Sequence, residues 1–240
     1  MGTTTLIKKI LFLVGCIALY SNTMPGIIGE TLFYKASFRG VHAANASLKV
    51  LERTAINQDS VYHIQFKAQT RSAFDYIFPI NDEIDLWVDT KTFLPIRIHE
   101  RIQEGKFKRS TKLFFNRNEN YAIIDNDTLP IGKYTQSPYS LFYFFRRYNI
   151  QDFKDKKLSL IQNKKISQIN LKIRKNQIIN VPAGDYVCTV ASPVRGDNKS
   201  FKNKSEMDIM YSNNLEKYPV KIRLKLKYGY LVLELNEIIN

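Results

Sequence analysis

The chain has 240 residues, 44% of them hydrophobic, with 14 Tyr, 15 Phe, 10 Gly and 8 Pro. That is long enough for one sizeable core and excludes a disordered or collagen-like chain. The 36 Lys and Arg against 22 Asp and Glu give a formal charge of +14, a field that favours anionic partners such as lipid headgroups, acidic glycans or nucleic acid, although lysines that only solvate a surface contribute to it.

The first element is LIKKILFLVGCIALYSN. Lys8 and Lys9 precede the run Ile10 to Tyr20, apolar except for its final tyrosine. The run is too short to span a bilayer and, behind a basic segment, reads as a secretory signal. Leu13-Val14-Gly15-Cys16 resembles the bacterial lipobox: aliphatic, variable, small, then the cysteine whose thiol takes diacylglycerol. Two readings stand. In one, residues 1–15 are a lipoprotein leader, Cys16 is the lipid attachment site and residues 16–27 are a tether; in the other, ordinary cleavage near Ser21 or Thr23 discards Cys16. With the leader and its two lysines gone, 34 bases and 22 acids leave +12. An acylated Cys16 leaves Cys188 alone, and no disulfide or thiolate metal site can then form within one chain.

After the tether the period is two. SLKVLE (47–52), YHIQFKA (62–68), EIDLWVD (83–89) and INLKIRK (169–175) read as strands. Glu104-Gly105 marks a hairpin, and Asn116 to Asn120 and Asn126-Asp127 mark turns. Ser137-Pro138 opens YSLFYFFRRYN, and a cap residue followed by Pro predicts a helix over about 138–148. Leu141, Phe142, Phe145 and Tyr148 fall on one face, as core or as the wall of a ligand site, and Arg146 and Arg147 lie in the last turn, where the helix dipole favours cations. VKIRLKLK (220–227) alternates without a break, and Tyr228-Gly229-Tyr230 turns it into LVLEL (231–235). Lys221, Arg223, Lys225 and Lys227, with Lys172 and Arg174, form a predicted basic outer face. The fold expected over 28–240 is mainly β: a single antiparallel, strongly curved sheet or barrel-like domain with one central helix.

Five stretches also form a series: Gly29-Glu30-x-Leu32-x-Tyr34 with Gly40-x-x-Ala43 and Ala46-x-Leu48-x-Val50; Asp89-x-x-Thr92-x-x-Pro95 with Glu104-Gly105 and Lys108-Arg109; Ser137-Pro138-x-Ser140-x-x-Tyr143 with Arg146; Val181-Pro182-Ala183-Gly184-x-Tyr186-x-Cys188; and Tyr218-Pro219-Val220 with Gly229. In order and spacing they resemble the bacterial envelope family catalogued as domain of unknown function 3108, over about residues 28–239. The resemblance implies an exported, periplasmic or membrane-anchored β-rich domain and supplies no catalytic residues. Ala44 stands where that family usually has Gly, at a turn, and Ser137 where it usually has Asp, both of which can cap a helix.

The residues offer little chemistry. His42, His63 and His99 share no short metal-ligand spacing. Asp82, Glu83, Asp85 and Asp89 lie along one strand, with Glu83 and Asp85 expected on a solvated face paired to nearby lysines. Cys188 is expected to be a small buried hydrophobe. There is no G-x-S-x-G elbow, P-loop or dinucleotide fingerprint. The expectation is a non-enzymatic protein without cofactor or metal. Export would also take nucleic acid out of reach, so GKFKRSTKLFF reads as a strand and not as a nucleic-acid face. Three functions follow: a module that binds or carries a lipid or other hydrophobic ligand; an envelope adaptor whose basic face meets anionic membrane or a partner protein; and a hydrolase.

Overall fold

The computed structural model describes residues 27–76, 79–162, 164–195, 207–226 and 229–240. The leader, Cys16, nearly all of the tether, Lys227 and Tyr228 lie outside the described residues. Strands β1 (Thr31–Phe38), β2 (Val41–Ile56) and β3 (Asp59–Thr70) come first, then a single turn α1 (Ser72–Asp75), then β4 (Asn81–Asp89), β5 (Pro95–Glu104), β6 (Phe107–Asn116), β7 (Tyr121–Ile124), β8 (Asp127–Pro130) and β9 (Thr135–Gln136). The helix α2 (Leu141–Arg147) and a 3-10 turn (Ile150–Phe153) follow. The chain closes with β10 (Leu158–Gln162), β11 (Lys165–Val181), β12 (Gly184–Arg195), β13 (Met207–Ser212), β14 (Pro219–Leu226) and β15 (Gly229–Ile239).

Among the described residues all 15 strands form one sheet in the order β8-β7-β6-β5-β4-β3-β2-β1-β15-β14-β13-β12-β11-β10-β9. Every pairing is antiparallel except β9–β10. Short turns set the registers. Arg39-Gly40 and Asn57-Gln58 both carry two positive φ values, the backbone a two-residue hairpin prefers because its twist matches that of the strands. Glu104 pairs with Phe107 around Gly105 (φ 58°), and Val181 with Gly184 around Pro182-Ala183, as the turn residues predict. Ala44 corrects one expectation: it is a core residue inside β2, paired with Ala36 and Thr70, and the irregularity beside it is a bulge that leaves Ala43 unpaired.

The sheet curls around α2. Phe142 meets Phe66 of β3 at 6.4 Å between ring centroids, and Phe145 meets Tyr211 of β13 at 6.0 Å. Those strands stand five steps apart in the sheet. Laid flat, that separation is about 24 Å, whereas a helix with its side chains is only about 10–12 Å across. Only a strongly curved sheet touches one helix from both strands. The two ends of the sheet approach without pairing: Lys164 Nζ, in the turn after β10, lies 2.8 Å from Asp127 Oδ2 of β8, and Arg117 donates to the carbonyls of Pro95 and Thr135, each at 2.9 Å. The result is barrel-like but not closed.

The helix is shorter than the expected 138–148. Ser137 and Ser140 bond reciprocally, Ser140 N–H to Ser137 Oγ (3.0 Å) and Ser137 N–H to Ser140 Oγ (2.8 Å), so Ser137 caps a tight turn that precedes the helix. At the other end Tyr148 is already extended (ψ 156°). Burial is also wider than one face: Leu141, Phe142, Tyr143, Phe144, Phe145 and Arg146 are all buried. A helix apolar all round belongs inside a core, and this one fills the concave side of its own sheet.

Candidate functional site

Three of the motif stretches meet at the centre of the molecule. Glu30, just before β1, and Arg146, in the last turn of α2, form a two-pronged ion pair: Nη1 to Oε1 at 2.5 Å and Nη2 to Oε2 at 2.8 Å, with side chains 4% and 2% exposed. Arg146 Nε donates to the Glu216 carbonyl at 2.9 Å. The rings of Tyr143 and Tyr218 flank the guanidinium at 5.1 and 5.2 Å. Burial works against the charged guanidinium, and the Glu30 carboxylate overrides it, so the Arg146 pKa stands above its ordinary value. Two more tyrosines brace this centre: Tyr211 OH ties the sheet to the helix by donating to the Leu141 carbonyl (2.7 Å), and Tyr34 OH of β1 donates to the Pro219 carbonyl of β14 (2.9 Å). Burial holds the phenols of Tyr34, Tyr143 and Tyr211 well above their usual range. On the far side Arg147 Nε reaches the Lys91 carbonyl (2.9 Å), in a turn held by Asp89 accepting from Thr92 N–H and Oγ1, both at 2.7 Å.

The residues singled out as core or ligand wall are therefore packed. Leu141, Phe142 and Phe145 are buried, and Tyr148 is half-buried with its ring 4.7 Å from Phe144 and 5.4 Å from Phe153. The basic outer face is present on β11 and β14, but it is paired. Asp208 takes both Arg174 (3.5 Å) and Arg223, while Lys221 sits 2.7 Å from Glu234. Lys172 is exposed on β11, Lys225 also has an interaction partner, and Lys227 lies outside the described residues. Two arginines sharing one carboxylate leave the face positive.

The acidic stretch behaves differently from the solvated face expected of it. Asp85 is buried beneath its neighbours on β3 and β5. It accepts from Gln65 (3.0 Å) and Arg101 (2.7 Å), and His63 lies 2.9 Å away. Burial raises its pKa, and these hydrogen bonds more than reverse the effect, so the net shift is downward. Its partners are thus mainly His63 and Arg101; Lys67 meets only Glu83, at 3.6 Å. Asp82 faces the concave side near Glu104, Arg109 and Tyr139. Burial pushes its carboxyl up to about 6, the Gln103 N–H opposes that, and Glu104 adds to it. The folding of β3–β5 also brings His63 and His99 to either side of Trp87, at 4.4 and 5.2 Å, which spacing alone did not reveal. Among the described residues no group of three His, Cys, Asp or Glu side chains is arranged to hold a metal ion. Cys188 is fully buried, and burial raises its thiol to about 12, which disfavours the nucleophilic thiolate near neutral pH.

Two openings stand out among the described residues. A cavity of about 290 Å³ lies between β5–β7 and the β10–β11 turn, lined by Glu100, Arg109, Thr111, Asp125, Gln162 and Lys164 among others. Beyond the last turn of α2, a groove of about 460 Å³ runs between Tyr148–Gln151 and strands β11–β13. Sequence reasoning missed both, and also the Glu30–Arg146 pair. The signals available for that pair were an arginine doublet inside an otherwise aromatic helix and the presence of both Glu30 and Arg146 in the motif series.

Comparison with known proteins adds the following. The sequence model of a family described as "Protein of unknown function (DUF3108)" matches residues 33–236. No curated protein matches the chain. Among solved structures, the chain is similar in fold to a β-barrel-like protein of domain of unknown function DUF1849 from Brucella abortus, with a TM-score of 0.57 at 8% identity, over 89% of this chain and 98% of that one. Weaker likenesses are to a Bacteroides fragilis protein with a YmcC-like fold, provisionally described as exported (TM-score 0.37, 12% identity, 89% and 96% covered), and to a provisionally described lipoprotein of Parabacteroides distasonis (0.39, 12%, 88% and 95%).

Two outcomes follow from the geometry. Glu30→Gln or Arg146→Met leaves one buried charge without its counter-charge and is expected to cost about 3–5 kcal/mol, while Glu30→Leu with Arg146→Met costs much less than the two losses added; urea unfolding of all three measures this. The folded state keeps a proton on Asp82 up to about pH 6 that the unfolded chain releases near its ordinary pKa, so this group lowers stability progressively as pH rises from about 4 to 6. Asp85 has the opposite sign, contributing stability that is lost as pH falls. Asp82→Asn should therefore stabilise the fold more at pH 7.5 than at pH 4.5, and Asp85→Asn should destabilise it more at pH 7.5 than at low pH. Equal effects at both pH values would remove the argument.

Proposed function

This chain belongs to the DUF3108 family, and from that premise we propose that it is an exported, non-enzymatic envelope protein. In this reading it acts as an adaptor that binds anionic membrane or a partner protein with its surface while its interior stays closed. The observation that carries this reading is α2, which occupies the concave side of the sheet where a carried ligand would sit. Its aromatic side chains supply the core, and Arg146 fastens it to Glu30. Export is supported by the basic, then apolar, N-terminus, and anchoring by the Leu13-Val14-Gly15-Cys16 stretch. The excess positive charge around Lys172, Arg174, Lys221, Arg223 and Lys225 suits an anionic leaflet, where each unneutralised cation adds about 1 kcal/mol.

Carriage of a lipid is the second reading, favoured by the barrel-like wrap of the sheet. It requires α2 to withdraw from the sheet, which separates Arg146 from Glu30 and removes the rings of Phe142 and Phe145 from Phe66 and Tyr211. The loss of a buried pair alone costs several kcal/mol.

Native mass spectrometry of the mature protein, purified gently from its own envelope, separates the two. The adaptor reading expects no lipid mass beyond what survives denaturation, since an acyl group on Cys16 is covalent. Excess mass that disappears on denaturation and fragments as a lipid would replace it with carriage.

A further inference from the structure

The groove beyond the last turn of α2 differs in chemistry from the rest of the concave side. It is lined by four carboxamides (Asn149, Gln151, Asn176 and Asn213), the hydroxyls of Thr189 and Ser212, the ring of Tyr148 and two lysines, Lys175 and Lys217. Among the described residues no carboxylate lines it. A volume of about 460 Å³ lies within the range of small-molecule sites.

The backbone aims these groups into the groove. The β11–β12 register slips between Arg174 and Gln177, so Lys175 and Asn176 together oppose the single residue Thr189. Such a bulge turns side chains away from the regular alternation, and Asn176 takes φ 54° to allow it. Thr189 Oγ1 donates to Asn213 Oδ1 at 2.8 Å, and Asn213 Nδ2 donates to Asn176 Oδ1 at 3.4 Å, which orients both amides. Asn149 Oδ1 is used by the Gln151 N–H (3.0 Å). The Nδ2 groups of Asn149 and Asn176 and the Gln151 side-chain amide remain as donors and acceptors toward the groove. Lys217 Nζ is held by the Tyr148 carbonyl at 3.2 Å, which satisfies one of its three N–H bonds. Burial and the charge of Arg147 both depress its pKa, and Asp152 partly offsets them; a bound anion would relieve that strain.

We propose that this groove binds an anionic saccharide, its hydroxyls met by the Asn149, Gln151 and Asn176 amides, which Asn213 helps to orient, and its acid group by Lys175 and Lys217. Planar amides that both donate and accept suit vicinal sugar hydroxyls, which do the same. Two ammonium groups in a groove without a lining carboxylate select for a negative ligand. The site does not rest on the adaptor reading, since its residues are separate from the stripe on β14.

The test uses the whole mature chain, isotope-labelled for NMR and titrated with trigalacturonic acid and, separately, with neutral maltotriose. Trigalacturonate is expected to shift the amide signals of Asn149, Gln151, Asn176 and Asn213, and to bind roughly tenfold or more tightly than maltotriose, the difference one charge-assisted contact supplies. Lys175→Glu, at an exposed position that spares the fold, should weaken binding by a similar factor. Lys175→Arg should retain it, and Lys172→Glu on the outer face should leave it unchanged. The proposal is overturned if groove signals stay still at millimolar trigalacturonate, if maltotriose binds equally well, or if Lys172→Glu weakens binding as much as Lys175→Glu, which would mean diffuse charge attraction.

Discussion

Burying two opposite charges is expensive even when they meet, because each gives up its hydration, and the pair repays that only with good geometry and further hydrogen bonds. Arg146 and Glu30 have both: a two-pronged contact, a third bond from Nε to Glu216, and two tyrosine rings against the guanidinium. Such a pair adds little net stability over apolar residues of the same size. It makes every arrangement that separates the two charges costly. The helix can therefore occupy one depth and one rotation inside the sheet, and that fixed plug sets the curvature the strands follow.

Much of this architecture was legible in the sequence, and for a physical reason. A strand with one face on a core must alternate, so segments such as 220–227 and 62–68 announce their pairing face, and the hairpins are punctuated by residues that accept positive φ, among them Gly40, Asn57 and Gly105. The central helix was legible as a helix but not as a plug. A period of 3.6 marks one apolar face at Leu141, Phe142, Phe145 and Tyr148, and says nothing of what covers Tyr143 and Phe144. The helix dipole accounts for a cation such as Arg146 in the last turn but names no partner for it, and that partner is a residue 116 positions earlier. Pairings at such range leave no local pattern. The resemblance contributed differently: its motifs had already included Glu30, Tyr34, Tyr143, Arg146 and Tyr218 without saying why, and the structure supplies the reason, since Tyr34, Tyr143 and Tyr218 surround the buried pair of Glu30 and Arg146.

The same long-range pairing explains why the charged candidates changed character. Lysines and arginines that alternate outward on β11 and β14 look like a free basic surface until Asp208 and Glu234 arrive from β13 and β15. The acidic residues of β4 look solvated until His63 and Arg101 stack over them from the neighbouring strands. Cross-strand neighbours decide the charge state and exposure of a sheet residue, and register is what determines them. The groove at the end of α2 was hidden for the same reason: its amides come from three separate segments and converge only when the bulge at Lys175-Asn176 is in place.

In the proposed reading an interior closed by a fixed helix leaves function to the surface, and the fixity of that helix is directly open to measurement. Native-state hydrogen exchange at the amides of α2, compared with those of β1 and β14, reads whether the plug ever leaves without the rest of the fold. The account predicts that Phe144 and Phe145 amides exchange only through the same global opening as the central strands, with the same denaturant dependence. Exchange of α2 through a smaller, separate opening while β1 and β14 remain protected would contradict it, and would make the helix a movable lid over a space the protein can fill.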